Sequence, residues 1–273
     1  MMQAVILAAG RGRRLDPVSN GTPKCLVRVG GESLIERQLK ILEHLGIDCI
    51  IVVVGYQHEK IRAVVGDRCD YIFNKRFDET NSLYSLWLAQ HWVTGSFALM
   101  NCDVLAHRDI YQRVMAAHGC ALAFDSSSGS DDEHMKVSVR DEVVHALGKE
   151  LPADHVDGEN VGVLKFDRLG ARLLFQEADW LIRSGAELDW APAAVDRLAR
   201  RVPIRAVDIA DLPWTEIDCP GDLQVAAQDI LPAIMLNGSS WLDRKTTPHA
   251  VSALTAQGPT GANGASMPAR DLP

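Results

Sequence analysis

The residues with the clearest capacity for chemistry stand at the start of the chain. Gly10-Arg11-Gly12-Arg13-Arg14 is completed ten residues later by Pro23-Lys24. Glycine lets backbone N–H groups approach a ligand closely, because no Cβ stands in the way. Arg11, Arg13, Arg14 and Lys24 put fixed positive charge around the same loop. Backbone donors with cations beside them are what a polyphosphate needs. A tight turn with solvated arginines is the plain alternative, and three arginines in four residues weigh against it. Two familiar phosphate loops are excluded. No Gly-x-x-x-x-Gly-Lys-Ser/Thr string occurs, and Leu15 stands where the dinucleotide fingerprint needs glycine or alanine.

Asp103 and Asp218 form the next pair. Each follows an apolar stretch that reads as a strand, Phe97–Asn101 before Asp103 and residues 214–218 for Asp218. An aspartate at a strand end also serves as a turn former or helix cap, and spacing alone does not bring these two together. Lys136 lies in an alternating segment with Met135 and Val137 facing the other way, and Lys149 sits between Gly148 and Glu150. Either lysine suits an acceptor phosphate, with Lys136 favoured, against the alternative of a solvated strand lysine. The 9 histidines show no His-x-His or His-Glu-x-x-His spacing, which excludes the common zinc patterns.

The elements that must position these groups alternate. Residues 4–9 read as a buried strand running into the glycine loop. Ser33 caps a helix over 34–45, and the β-branched run Cys49–Val54 is a strand covered on both faces. A helix over His58–Val65, a strand over 71–74 and a helix capped by Thr80-Asn81-Ser82 follow. Phe97–Asn101 is a strand running straight into Asp103. A helix over 109–117, the strand Cys120–Asp125, a hairpin over 135–144 and a strand over 161–166 come next. Helices over 169–184 and 191–200, the strand Ile204–Asp208 and a last helix opened by Pro220 complete the series. Such alternation predicts an α/β fold with right-handed crossovers and a mostly parallel sheet. Ligands of open parallel sheets sit outside the carboxyl ends of the strands, which places Asp103 beside the first loop.

Composition sets the bounds. The chain has 273 residues, 47% hydrophobic and 23% charged, an ordinary globular balance. Its net charge of −8 argues against a nucleic-acid polymer as partner. An acidic protein with a basic first loop suits a small anionic substrate better. The 6 cysteines form no Cys-x-x-Cys pair, and Cys25, Cys49, Cys102 and Cys120 read as small buried hydrophobes. Neither a signal peptide nor a membrane-length apolar run is recognisable, which predicts a reduced, cytoplasmic protein with no membrane partner. Residues 1–236 read as one catalytic domain. Residues 237–273, rich in Gly, Ser, Thr, Ala and Pro, read as a disordered tail.

Leu7-Ala8-Ala9-Gly10-x-Gly12-x-Arg14-Leu15 with Pro23-Lys24 resembles the signature of the sugar-1-phosphate and MobA-like nucleotidyltransferases. The resemblance implies a Rossmann-like, GT-A-type sheet flanked by helices, with a small β-hairpin subdomain that binds the acceptor. It assigns Arg14 and Lys24 to the phosphates and the main chain of Leu7, Ala8, Ala9, Gly10 and Gly12, with Asn81 and Ser82, to the nucleotide. Asp103 and Asp218 match the family's metal-binding aspartates, which implies Mg2+. Within that superfamily, Asn81-Ser82-Leu83-Tyr84-Ser85-Leu86, Met135-Lys136-Val137, Gly158-Glu159-Asn160-Val161-Gly162 and Trp214-Thr215-Glu216-Ile217-Asp218 resemble the phosphocholine cytidylyltransferase-like branch. That branch implies CTP as donor and a small phosphorylated alcohol, or a phosphonate, as acceptor. Lys136, Lys149, Glu159, Asp189 and Trp190 are the acceptor-site candidates. Tyr84, Trp180 and Trp214 are further aromatic faces, although Trp180 sits at helical spacing with Leu173, Leu174 and Leu181 and reads as core. Asn160 stands where an aromatic residue is frequent, and Cys102 where glycine is frequent, so the acceptor stays open. A sugar-1-phosphate enzyme using UTP, GTP or dTTP is the near alternative. A nucleotide-binding regulator without catalysis is the distant one.

Overall fold

Strand formation follows the apolar runs. The computed structural model describes residues 2–128 and 133–236. In chain order the principal strands are β1 (Gln3–Ala8), β2 (Cys49–Val54), β3 (Asp70–Phe73), β4 (Phe97–Asn101), β5 (Cys120–Asp125), β6 (Lys136–Arg140), β7 (Val143–Gly148), β8 (Gly158–Phe166) and β9 (Ile204–Asp208). They form one 9-stranded sheet in the order β3-β2-β1-β4-β8-β5-β9-β7-β6, and β6 also pairs with β8. β1 is parallel to β2 and β4, β2 to β3, and β5 to β9. β8 runs against its neighbours β4 and β5, and β7 against β9 and β6. Every residue of β1 is buried, as expected of a strand between two parallel neighbours with helices on both faces.

The helices are α1 (Leu34–His44), α2 (His58–Val65), α3 (Ser82–Leu88), α4 (Arg108–Ala116), α5 (Arg168–Arg183), α6 (Pro192–Ala199), α7 (Pro220–Val225) and α8 (Leu231–Leu236). Side-chain caps set the starts of α1, α3, α4 and α5. Ser33 and Glu36 form a reciprocal capping box at α1, and the Asn81 side chain accepts from the Ser82 N–H at 2.8 Å at α3. On one face of the sheet Val5, Leu7, Val53, Leu99 and Phe166 meet Leu83 and Leu86 of α3, Leu174 and Phe175 of α5, and Val195 and Leu198 of α6. The pleat turns Ala4, Ile6, Val52 and Met100 to the other face, and the buried stripes of α1, α2 and α4 supply Leu39, Ile61 and Ile110. A second, smaller core joins Leu15 and Val27 near the first loop to Leu105, Ile217, Leu231 and Ile234.

Several expectations shift. β8 begins at Gly158 rather than 161, because Gly158 and Glu159 pair with Val137 and Lys136 of β6. The hairpin β6–β7 is hydrogen-bonded into the sheet through β8 and β9 instead of standing apart. Trp180 is 52% exposed, not core. It lies on the flank of α5, where the Arg197 guanidinium stacks 3.9 Å from its ring centre. Cys25, Cys102 and Cys120 are buried, while Cys49, at the lower end of β2, is only half-buried. Among the described residues no helix is long and apolar enough to cross a membrane. The proposed tail lies outside the described residues.

Candidate active site

A cleft of about 280 Å³ opens at the carboxyl ends of β1 and β4, where open α/β sheets place their ligands. Leu7, Ala9, Gly10 and Gly12 line its floor, while Ala8 is buried and does not line it. Gly12 holds φ at 66°, which favours glycine, and a Cβ there would crowd the Lys24 side chain at 3.1 Å. A Cβ on Gly10 would meet nothing within 4 Å, which leaves its backbone open to a ligand.

Lys24 projects into the cleft from a single 3-10 turn, Lys24–Leu26, and is only 11% exposed. Its Nζ donates to Asp103 Oδ2 at 2.5 Å and also to Asp218 Oδ1. Arg14 is more open. One guanidinium nitrogen donates to Asp218 Oδ2 at 2.5 Å and the other to Glu133 Oε2 at 3.1 Å. The arginine and lysine of the first loop thus converge on aspartates distant in the chain.

Local strand pairing brings those aspartates together. Val104–Ala106, directly after Asp103, forms an antiparallel ladder with Trp214–Glu216. Strand alternation then sends Ile217 into the second core and leaves Glu216 and Asp218 facing the cleft. Carboxylate oxygens of Asp103, Glu216 and Asp218 lie within 4.8 Å of one another. Repulsion from Asp103, then burial, pushes the Glu216 carboxyl up to about 9, against the pull of Lys24. Burial works against the Lys24 ammonium, but Asp103, Asp218 and Glu216 outweigh it and hold its pKa above the usual lysine range. Asp103 Oδ1 is buried and has no hydrogen-bond partner. An unsatisfied buried carboxylate oxygen costs about 1–3 kcal/mol or more, and a cation would relieve it. Three oxygen donors around one point fit a small hard divalent ion such as Mg2+.

The opposite wall is the start of α3. Ser82 Oγ accepts from the Ala191 N–H at 2.8 Å, Asn81 N–H donates to the Glu187 carbonyl at 2.9 Å, and Leu83 N–H to the Asp189 carbonyl at 3.2 Å. These bonds stitch residues 187–191 onto α3 and bring Trp190 to the cleft beside Asn81 and Ser82. Lys149 also lines the cleft, its Nζ 5.0 Å from the Trp190 ring centre and 3.6 Å from Glu133 Oε2. The remaining acceptor candidates do not line it. Met135, just before β6, lines the cleft while Lys136 is turned away, and in β8 Asn160 lines it while Glu159 is turned away. Lys136 and Glu159 are instead register partners, both buried, and Glu159 accepts from Ser128 Oγ at 2.6 Å. Asp189 contributes its backbone to α3. Of the aromatic candidates, Trp190 alone lines the cleft; Trp214 donates its indole N–H to Asp125 at 2.8 Å.

Residues 4–161 match the MobA-like NTP transferase domain. The chain belongs to that family. The chain is 26% identical over 246 residues to the bifunctional IPC transferase and DIPP synthase of Aquifex aeolicus, covering 88% of this chain and 55% of the relative. It is 40% identical over 101 residues to the choline-phosphate cytidylyltransferase of Streptococcus pneumoniae, covering 36% of this chain and 43% of the relative. The chain therefore spans about half the length of these two relatives. Its fold is that of the inositol-1-phosphate CTP transferase from T. maritima, with a TM-score of 0.70 at 23% identity over 86% of this chain and 96% of that one.

Glu216 and Glu133 line the cleft but were not among the site residues the sequence singled out. Glu216 had a signal: in a strand, two residues before Asp218, it must share that aspartate's face. Glu133 had a fainter one: it opens the string Glu133-His134-Met135-Lys136-Val137 that resembles the cytidylyltransferase-like branch, but its distance in sequence from Arg14 hides the pairing.

Proposed function

We propose that the protein is a Mg2+-dependent cytidylyltransferase, transferring CMP from CTP to a small phosphorylated alcohol or a phosphonate with release of pyrophosphate. One observation carries this reading: Lys24 and Arg14, rooted beside an open glycine loop, converge on Asp218 and on Asp103, which follows a central strand. The likeness to a choline-phosphate cytidylyltransferase supports the choice of donor. A phosphate monoester has a second pKa near about 6. The acceptor oxygen is thus already ionised at neutral pH and needs no general base. The chain's own work is to bind and orient. Gly10 and Gly12 offer backbone to the triphosphate, Arg14 and Lys24 supply charge to the phosphates, and Lys149 with Trp190 receives the acceptor. A divalent ion, held by Asp103, Asp218 and Glu216, would neutralise charge on the α-phosphate and the leaving pyrophosphate. A cytoplasmic, reducing setting suits the free cysteines.

Pyrophosphate release, measured for each NTP against phosphocholine, phosphoethanolamine, 2-aminoethylphosphonate and sugar 1-phosphates, tests the reading. CTP should exceed UTP and GTP at least tenfold in kcat/KM, or about 1.4 kcal/mol, which one or two hydrogen bonds to the cytosine edge can supply. Lys24→Ala should lower kcat/KM for every donor by a similar factor, because the phosphates are common to all. A UTP or GTP preference moves the protein to the sugar-activating branch, and no turnover with any pair favours a binding regulator.

A further inference from the structure

A groove of about 610 Å³ opens beside the loop that leads into β4 and the first turns of α5, a volume within the range of small-molecule sites. It is separate from the cleft. Ser82, at the start of α3, lines the cleft, while Gln90 and His91, in the 3-10 turn Ala89–His91 that continues α3, line the groove. Ten residues of helix hold the two ends about 15 Å apart.

The lining has a distinct chemistry. Phe175, Ala171, Leu169 and Val93 make an apolar surface, and Arg168, Arg172 and His91 stand around it with no acidic side chain among the lining residues. The chain as a whole carries a net charge of −8, so a wholly basic lining is not its average surface. Among the described residues, Arg168, Arg172 and His91 have no hydrogen-bond or ion-pair partner. Nearby arginines behave otherwise: Arg197 and Arg201 both grip Glu177, and Arg183 pairs with Asp179. Asp167, the acid at the start of α5, is committed to the helix cap, accepting from the Gly170 N–H at 2.7 Å.

Arg168 and Arg172 are four residues apart on α5 and so project from the same face. Two guanidinium forks so placed suit the several oxygens of one phosphate better than a point charge would. The loop that forms the other wall is already fixed. The Gln3 carboxamide donates to the Trp92 carbonyl at 3.0 Å and accepts from the Thr94 N–H at 2.7 Å. Little ordering is left to oppose binding there. We propose that this groove binds a small organic phosphate, its anion held by Arg168 and Arg172 with His91 at the rim, and its apolar body lying on Phe175 and Leu169.

The proposal does not rest on the cytidylyltransferase reading, and no nucleotide enters its test. 1-Naphthyl phosphate is titrated into the full chain by fluorescence anisotropy, with inorganic phosphate and 1-naphthol as competitors that carry the anion and the apolar body separately. The wild type should bind 1-naphthyl phosphate at least tenfold more tightly than either competitor. The double variant Arg168→Ala/Arg172→Ala should weaken binding at least tenfold with an unchanged melting temperature, since both side chains are exposed, and Lys24→Ala should leave it unaltered. Absence of binding to the wild type, equal binding by the double variant, competition by 1-naphthol as strong as the phosphate ester, or loss of binding in Lys24→Ala would each overturn it.

Discussion

The main-chain N–H of Ile217 donates to the carbonyl oxygen of Asp103 at 3.0 Å. This bond extends the ladder between Val104–Ala106 and Trp214–Glu216 by one step and ties the two acidic strings together. Because the Ile217 side chain is fully buried in the second core, the carboxylates on either side of it inherit a fixed direction. Ile217→Ala should therefore act on both stability and rate. Removing a buried isoleucine to alanine costs about 2–5 kcal/mol, read as a lower denaturation midpoint. Turnover should fall too, since Glu216 and Asp218 lose their anchor. A variant that is destabilised but turns over at the wild-type rate would separate the core from the site.

Asp103→Ala and Asp218→Ala should each abolish turnover in magnesium while leaving the melting temperature nearly unchanged. Each removes one member of a repelling trio, and Lys24 keeps a carboxylate partner in either variant. The relieved repulsion offsets the lost ion pair. Pyrophosphate release and a thermal melt on the same preparations check this. Near-wild-type turnover in either variant would sink the metal assignment.

Glu216 gives a pH dependence with a definite sign. Its folded pKa, about 9, lies above its ordinary value of 4.5. Below pH 4.5 the group is protonated in both folded and unfolded states and costs nothing. As pH rises from there towards 9 the unfolded chain ionises and the folded chain does not, so stability is lost across that window, with a slope of at most about 1.4 kcal/mol per pH unit. Lys24, with its pKa raised, adds no slope below about pH 10. Melts from pH 5.5 to 9 in chelator should decline, and Glu216→Gln should flatten the decline. Magnesium should stabilise most at the alkaline end, because binding must expel the proton of folded Glu216 and the cost of doing so shrinks as pH approaches 9. A pH-independent melt in chelator would refute the shifted carboxyl.

The fold was legible because its central strands are largely apolar runs. Cys49–Val54, Phe97–Asn101, Cys120–Asp125 and Ile204–Asp208 carry the same ends in the sequence reading and in the structure. The first loop was legible for the same reason: Gly12, Arg14 and Lys24 have types that packing alone does not demand. Direction was harder. Lys136 and Glu159 were expected at the acceptor, yet a one-residue choice of parity in β6 and β8 sends Met135 and Asn160 to the cleft in their place. Trp180 has the helical spacing of a core residue, and periodicity does not tell where the edge of a buried stripe falls. The meeting of Asp103 with Glu216 and Asp218 depends on a ladder between segments more than a hundred residues apart, which no local pattern encodes.

Lys149 and Lys136 offer the sharpest test of that parity. Lys149 Nζ lies over Trp190 and near Glu133, which in turn holds Arg14, so it belongs to the same charged wall as the phosphate-facing arginine. Lys136 is buried opposite Glu159. A charge-assisted hydrogen bond from lysine to an acceptor phosphate contributes about 1.5–3 kcal/mol, so Lys149→Ala should raise the acceptor KM about 10- to 100-fold and leave the KM for CTP near its wild-type value. Lys136→Ala should do the reverse of what its sequence position suggests. It removes the buried lysine whose register partner is Glu159, while that carboxylate keeps Ser128 and His134 beside it, so the cost falls on stability, about 1–3 kcal/mol. Steady-state kinetics with acceptor and CTP varied in turn, beside denaturant melts of both variants, decide the matter. If Lys136→Ala melts like the wild type and raises the acceptor KM while Lys149→Ala does neither, the acceptor lies on the other face of β6.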